Sequence, residues 1–309
     1  MRNINELLGT KYPVIQGGMA NIADGEFAAS VSNAGGLGLI GAGGNDVNWV
    51  REEIRKCRML TDKPFGVNII MMSPHAKEIA KLIIEEKVKV VTTGAGNPVP
   101  YIEDWKKAGI IVIPVVPSVR LAIRVERAGA DAVIAEGMEA GGHIGKLTTM
   151  AIIPQVADAV SIPVIAAGGI GDKRGVLAAF ALGAKGVQIG TVLLATEECP
   201  IHHNYKQLVV DAADNDTVIT GSERAPVRVL KNQMALKYID LVKSGASFEE
   251  LELLTVGSLN KAVIEGDLDG GSFMAGQVSG IVKSIRTVKE VLDEMFLDVD
   301  KFRKDLKIL

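Results

Sequence analysis

One recurring unit limits what this chain can fold into. A helical stretch stops at a glycine, and a short apolar run follows. The unit reads Asn33-Ala-Gly-Gly-Leu-Gly-Leu-Ile-Gly41, Lys107-Ala-Gly-Ile-Ile-Val-Ile113, Arg127-Ala-Gly-Ala-Asp-Ala-Val-Ile-Ala-Glu-Gly137 and Leu182-Gly-Ala-Lys-Gly-Val-Gln-Ile-Gly190. Glycine supplies the left-handed residue that ends a helix and redirects the chain. Apolar runs occur at residues 13–16, 37–40, 65–70, 88–92, 110–116, 132–135, 164–167 and 187–189. They are mostly apolar on both alternations, as parallel strands buried on both faces must be. Between them, residues 78–86 and 119–127 carry apolar side chains at helical spacing. Alternating strand and helix predicts an α/β fold with a parallel sheet. An open Rossmann-type sheet uses the same unit. Eight runs favour a (β/α)8 TIM barrel.

Length then predicts an addition to the barrel. The chain has 309 residues, and a barrel takes roughly 250. The strand–helix pattern breaks after Ala195, and residues 197–271 read as polar and helical, with no further buried strand. Ser247-Phe-Glu-Glu250 has the form of a capping box before an amphipathic run. The expected organisation is a barrel from residues 1–197 and 272–309, with a small helical insert or lid domain over 198–271. Residues 282–309 are expected to form one or two closing helices.

Composition excludes several function classes. Hydrophobic residues make up 48% of the chain and charged residues 23%, which excludes a disordered chain. Lys and Arg number 34 against 37 Asp and Glu, for a net charge of −3 without a dominant block. That argues against nucleic-acid or anionic-membrane binding along the chain. The two cysteines, Cys57 and Cys199, match no CxxC pattern, and a reduced, cytoplasmic protein is the simplest expectation. The N-terminal residues lack the apolar core of a secretory signal. The apolar stretch 150–171 is broken by Pro154, Asp158 and Pro163, as a membrane span would not be.

In a barrel, chemistry gathers where the strands end. The amides Asn68 and Gln188 sit at such ends, where they either line a site or tie down a loop. Gly168-Gly169 follows the seventh strand and Gly190-Thr191 the eighth. Loops in these two places commonly bind a phosphate, because glycine lets N–H groups approach its oxygens. The pair points to a phosphorylated ligand such as FMN, although ordinary tight turns also use glycine. The run Ile134-Ala-Glu-Gly-Met-Glu-Ala-Gly-Gly-His-Ile-Gly145 places Glu136, Glu139 and His143 just past the sixth strand. A histidine there can serve as a general acid or base, or it can be a solvated loop residue. His75, His202 and His203 find no third partner at metal spacing, and no metal site is expected.

Six segments together carry a resemblance. They are Gln16-Gly-Gly-Met-Ala20, Pro64-Phe-Gly-Val-Asn-Ile69, Val90-Val-Thr-Thr-Gly-Ala-Gly-Asn-Pro98, the run from Val133 to Gly145, Pro163-Val-Ile-Ala-Ala-Gly-Gly-Ile170 and Gly271-Ser-Phe-Met-Ala-Gly-Gln277. In these the chain resembles the FMN-dependent enoyl-acyl carrier protein reductase II family of bacterial fatty-acid synthesis, which shares its fold with the nitronate monooxygenases. The resemblance implies a TIM barrel with a helical insert, one FMN per chain and a homodimer. It implies that the FMN phosphate rests on Gly168, Gly169, Gly190 and Thr191. Gly17, Gly18, Met19, Asn68 and Gln188 would contact the rest of the flavin, and Met274, Gly276 and Gln277 would cover it. NADH or NADPH would be the reductant, and an enoyl thioester on acyl carrier protein the substrate. His143 would polarise the thioester or supply a proton, with Glu136 or Glu139 in support. The alternative within the same fold is a nitronate monooxygenase, with the histidine as a base on a nitroalkane. Where many relatives carry an aromatic residue after Met-Ala, this chain has Asn21, which leaves the wall of the acyl pocket open. Arg224, Arg228 and Lys231 form a basic cluster. It is expected either to meet the carrier protein or the nucleotide phosphate, or to be a solvated face.

Overall fold

In a computed structural model, which describes residues 4–223, 225–297 and 299–305, the four repeated glycines do what the unit requires. Gly35, Gly109, Gly129 and Gly183 all take positive φ, between +76° and +105°. In each unit the next N–H reaches back to a carbonyl five residues earlier: Gly36 to Val31, Ile110 to Trp105, Ala130 to Val125 and Ala184 to Ala179, at 3.0–3.1 Å. This is the Schellman termination, and it turns four helices back into strands.

The strands are β1 (Val14–Gln16), β2 (Gly38–Gly41), β3 (Phe65–Ile70), β4 (Val90–Gly94), β5 (Ile111–Val116), β6 (Val133–Glu136), the two-residue β7 (Gly142–His143), β8 (Val164–Ala167), β9 (Gly186–Ile189), β10 (Thr217–Ser222) and β11 (Ala225–Leu230). Eight of them pair in parallel in the order β1-β9-β8-β6-β5-β4-β3-β2. A single parallel bridge from Ile15 to Leu37 closes the ring. At this seam the Gln16 side chain takes over part of the ladder, its Oε1 accepting from the Leu39 N–H at 3.0 Å. The result is a (β/α)8 TIM barrel.

Two apolar layers hold it. Inside the ring lie Ile15, Leu37, Leu39, Val90, Ile113, Ile134 and Ile165, joined by Ile4 and Leu8 of the short helix Ile4–Leu8. Ile4 lies against Gly186 at the start of β9, where an added Cβ would be 3.1 Å from it. The larger layer fills the space between strands and helices and includes Phe27, Ile54, Ile83 and Trp105. The Trp105 indole is fully buried and donates to the Ala80 carbonyl at 3.0 Å, so its one polar atom is satisfied.

The expectation of a wholly helical stretch over residues 198–271 needs correction. It contains the helices His203–Asp211, Gln233–Lys243 and Phe248–Thr255, and Ser247 forms the expected capping box. It also contains the antiparallel hairpin β10–β11. In β10 only Thr220 is buried, and in β11 only Arg228, Val229 and Leu230, so neither carries the continuous buried apolar run of a barrel strand. β7 joins β11 as a third antiparallel strand. The helices Val288–Phe296 and Val299–Asp305 follow the insert. Among the described residues no helix is long and apolar enough to cross a membrane.

Candidate active site

Strand alternation builds the site floor. Residues two positions beyond the inward-facing apolar residues also face inward, at the C-terminal mouth. There Asn68, Val115, Glu136, Ala167 and Gln188 line a cavity of about 240 Å³. The Asn68 amide donates to the Thr92 hydroxyl at 2.8 Å. Gln188 is different: its Oε1 is buried and has no hydrogen-bond partner among the described residues. A buried acceptor left unpaired is unfavourable unless a ligand donor meets it.

Glycines form the rim. Gly168 and Gly169 have φ of +88° and +70°, and both line the cavity with Gly17, Gly18 and Met19. A Cβ at Gly168 would lie 2.7 Å from the Gly137 carbonyl oxygen, and one at Gly18 would run into the Asn68 side chain. Gly190 precedes the one-turn helix Thr191–Leu194, and Gly190 and Thr191 also line the cavity. The Thr191 hydroxyl accepts from the Gly276 N–H at 2.9 Å, which ties the segment returning from the insert to the barrel. Met274 lines the cavity, and its carbonyl accepts from the buried Tyr205 hydroxyl at 2.8 Å. Gly276 and Gln277 do not line it. Gly276 is buried behind Thr191, and Gln277 is exposed, its N–H donating to the Glu139 carbonyl at 3.0 Å.

This donor set fits a phosphorylated flavin. Backbone N–H groups at glycines suit phosphate oxygens. The orphaned Gln188 acceptor suits a ring N–H, and the apolar wall of Ile70, Val115, Leu259 and Val278 suits an aromatic ring system. No lysine or arginine lines the cavity among the described residues.

The three ionisable candidates separate clearly. His143 is exposed at the cavity edge, and no side-chain hydrogen bond joins it to Glu136 or Glu139. Glu139 is already committed: its carboxylate accepts from the Thr149 N–H at 2.9 Å and from the Thr149 hydroxyl at 3.1 Å. Glu136 lines the cavity with no hydrogen-bond or ion-pair partner among the described residues. Burial alone pushes its carboxyl up to about 7. The cysteines are buried, and burial pushes both thiols up to about 12, which leaves neither as a nucleophile.

Two members of the basic cluster have partners within the protein. Arg228 is buried, its Nε donating to the Met138 carbonyl and its Nη1 to the Thr217 hydroxyl, both at 3.0 Å. Lys231 pairs with Asp216 at 4.0 Å, and Arg224 lies outside the described residues. Asn21 does not line the cavity. It has a φ of +59° and donates to the Asn260 side-chain carbonyl at 3.2 Å, linking the loop after β1 to the insert.

Comparison with known proteins shows which family the chain belongs to. The nitronate monooxygenase family matches residues 2–82 and 76–298. FabK from Thermotoga maritima is similar in structure, with a TM-score of 0.96 and 48% identity over 99% of each chain. A (3aS,4S,5R,7aS)-5-hydroxy-7a-methyl-1-oxo-octahydro-1H-indene-4-carboxyl-CoA dehydrogenase from Rhodococcus jostii (strain RHA1) is 32% identical, over 96% of this chain and 95% of that protein. A probable nitronate monooxygenase from Staphylococcus haemolyticus (strain JCSC1435) is 38% identical, over 70% of this chain and 74% of that one.

Proposed function

The chain belongs to the nitronate monooxygenase family, a family of oxidoreductases, and from that premise we propose that it is an FMN-dependent enoyl-acyl carrier protein reductase. The reaction is reduction of the 2,3-double bond of a trans-2-enoyl thioester at the expense of NADH or NADPH. One observation carries this reading: a chain 48% identical to FabK over 99% of its length places a histidine beside a glycine-rimmed cavity with an orphaned amide acceptor.

The chemistry that FMN would supply at this site is hydride transfer between the nicotinamide and the enoyl β-carbon. Gly168, Gly169, Gly190 and Thr191 would hold its phosphate. Gly17, Gly18, Met19, Asn68 and Gln188 would hold the remainder, with Met274 over it. The rest of the reaction falls to side chains. As the β-carbon gains hydride, the thioester becomes enolate-like, and its α-carbon needs a proton. His143 stands at the cavity edge to polarise the thioester carbonyl or deliver that proton. Glu136 faces the same space and keeps its own proton up to about pH 7. Acyl carrier protein is the proposed bearer of the substrate, and a homodimer the proposed assembly.

The test follows reduced-nicotinamide absorbance anaerobically, on protein loaded with FMN, with and without a crotonyl thioester. Oxidation that requires the thioester is the expected result. The identity with the probable nitronate monooxygenase supports a second reading, in which His143 takes a proton from a nitroalkane. Oxygen uptake on a nitronate, with no thioester-dependent oxidation, would establish that reading instead.

A further inference from the structure

The hairpin β10–β11 contributes no strand to the barrel, yet the loop carrying His143 completes its sheet. Three successive residues of β11 grip that loop. The Pro226 carbonyl accepts from the Ile144 N–H at 3.0 Å. Val227 stands opposite His143 and Arg228 opposite Gly142 in the antiparallel register. The Arg228 side chain then reaches further, its Nε donating to the Met138 carbonyl at 3.0 Å and its Nη1 to the Thr217 hydroxyl at 3.0 Å. Arg228 therefore ties the start of the loop to both strands of the hairpin, while Pro226 holds its end.

The residue type is informative. Arg228 is only 5% exposed and forms no ion pair of its own among the described residues. Placing a guanidinium there is unfavourable by desolvation. A methionine would fill much of the same space without that penalty. It could not hold the Met138 carbonyl, and it could not bridge to Thr217. The loop also needs holding: β7 is two residues long, and Gly142 has a φ of +74°, a conformation that a strand does not favour by itself.

We propose that Arg228 is a positioning residue for His143, fixing the loop from Met138 to Ile144 against the insert so that the imidazole stays at the cavity edge. This rests on the reading of His143 given above. The insert is then part of the catalytic apparatus as a brace for the histidine.

The test is a double-mutant cycle on FMN-loaded protein with Arg228→Met, His143→Ala and the pair, read together with hydrogen exchange at the Ile144 amide. Arg228→Met is expected to lower kcat roughly 10²-fold, as a small misplacement of a catalytic group does. The KM for the nicotinamide should stay unchanged, and Ile144 exchange should speed up. Arg228→Lys, which can still reach one acceptor, should recover part of the loss. In the His143→Ala background, Arg228→Met should remove nothing further from kcat. Losses that multiply would overturn the proposal, as would a normal exchange rate at Ile144 in Arg228→Met. If Arg228→Met does not fold, Arg228→Lys takes its place in the cycle, with the same outcomes. Full turnover by His143→Ala would instead remove the histidine's assigned role. Ile144 exchange would then still decide whether the guanidinium holds the loop.

Discussion

Thr149 donates two kinds of hydrogen bond to Glu139, one from its backbone N–H at 2.9 Å and one from its hydroxyl at 3.1 Å. The helix Thr149–Ala159 begins there, and its N-cap residue Thr148 makes no side-chain capping bond. A carboxylate from the preceding loop therefore caps the helix from outside and sits favourably at its positive end. Thr149 Oγ1 also lies 2.9 Å from the Gly168 carbonyl, so the cap adjoins the glycine turn on the cavity rim. Glu139→Ala should lower stability by about 1 kcal/mol, the usual effect of losing a cap. Urea unfolding checks this. Glu139→Gln, which keeps an acceptor oxygen, should lose less.

His143→Ala should reduce thioester-dependent turnover by roughly 10²–10⁴-fold, the range for loss of a general acid. FMN content should be unchanged, because no glycine of the rim is touched. Flavin absorbance of the purified variant and single-turnover rates measure the two effects separately. A variant with normal FMN content and near-normal turnover would sink the assignment.

Glu136 makes a pH prediction. Its folded value is raised to about 7 from an ordinary 4.5. Between these values the folded state holds the proton and the unfolded state releases it. Stability from this group therefore falls as pH rises from about 4.5 to about 7, then levels off. Glu136→Gln should flatten that dependence and be relatively more stable at pH 8 than at pH 5. Urea midpoints of both proteins at the two pH values give the comparison.

Gly168→Ala should damage cofactor retention more than the fold. The added Cβ would meet the Gly137 carbonyl at 2.7 Å, and a φ of +88° disfavours any side chain. The turn must shift, and its N–H groups shift with it. Flavin titration should show much weaker FMN binding. Gly109→Ala, also at a positive φ of +76° but away from the cavity, where a Cβ meets nothing within 4 Å, serves as the control.

The barrel was legible because its strands are buried on both faces, which leaves a continuous apolar signature. β3, for example, spans the predicted residues 65–70, and β8 the predicted 164–167. Asn68 and Gln188 were legible for a related reason, since an amide at an inward position of such a strand breaks its apolar pattern. Other relationships are absent from local sequence. Glu136 and Glu139 look equivalent in spacing and both line the cavity, and only the path of the chain gives Thr149 to Glu139 and leaves Glu136 without a partner among the described residues. Arg228 looked like a surface cation because its partners, Met138 and Thr217, lie 90 and 11 residues away. The hairpin is hidden in the sequence because a six-residue strand with few buried apolar positions carries little apolar signal. The backbone N–H groups of Gly276 and Gln277, which the resemblance sets over the ligand, donate to Thr191 and Glu139, partners far away in sequence.

The third strand of the hairpin sheet also bears on the order in which the molecule is made. Synthesis runs from the N-terminus, and domains tend to fold as they emerge. The last barrel strand ends at Ile189, while the segment that pairs with His143 begins at Ala225. All eight barrel strands are therefore available to the ribosome-bound chain before the histidine has its backbone partner. The backbone partner of the His143 loop is thus made after every strand of the barrel.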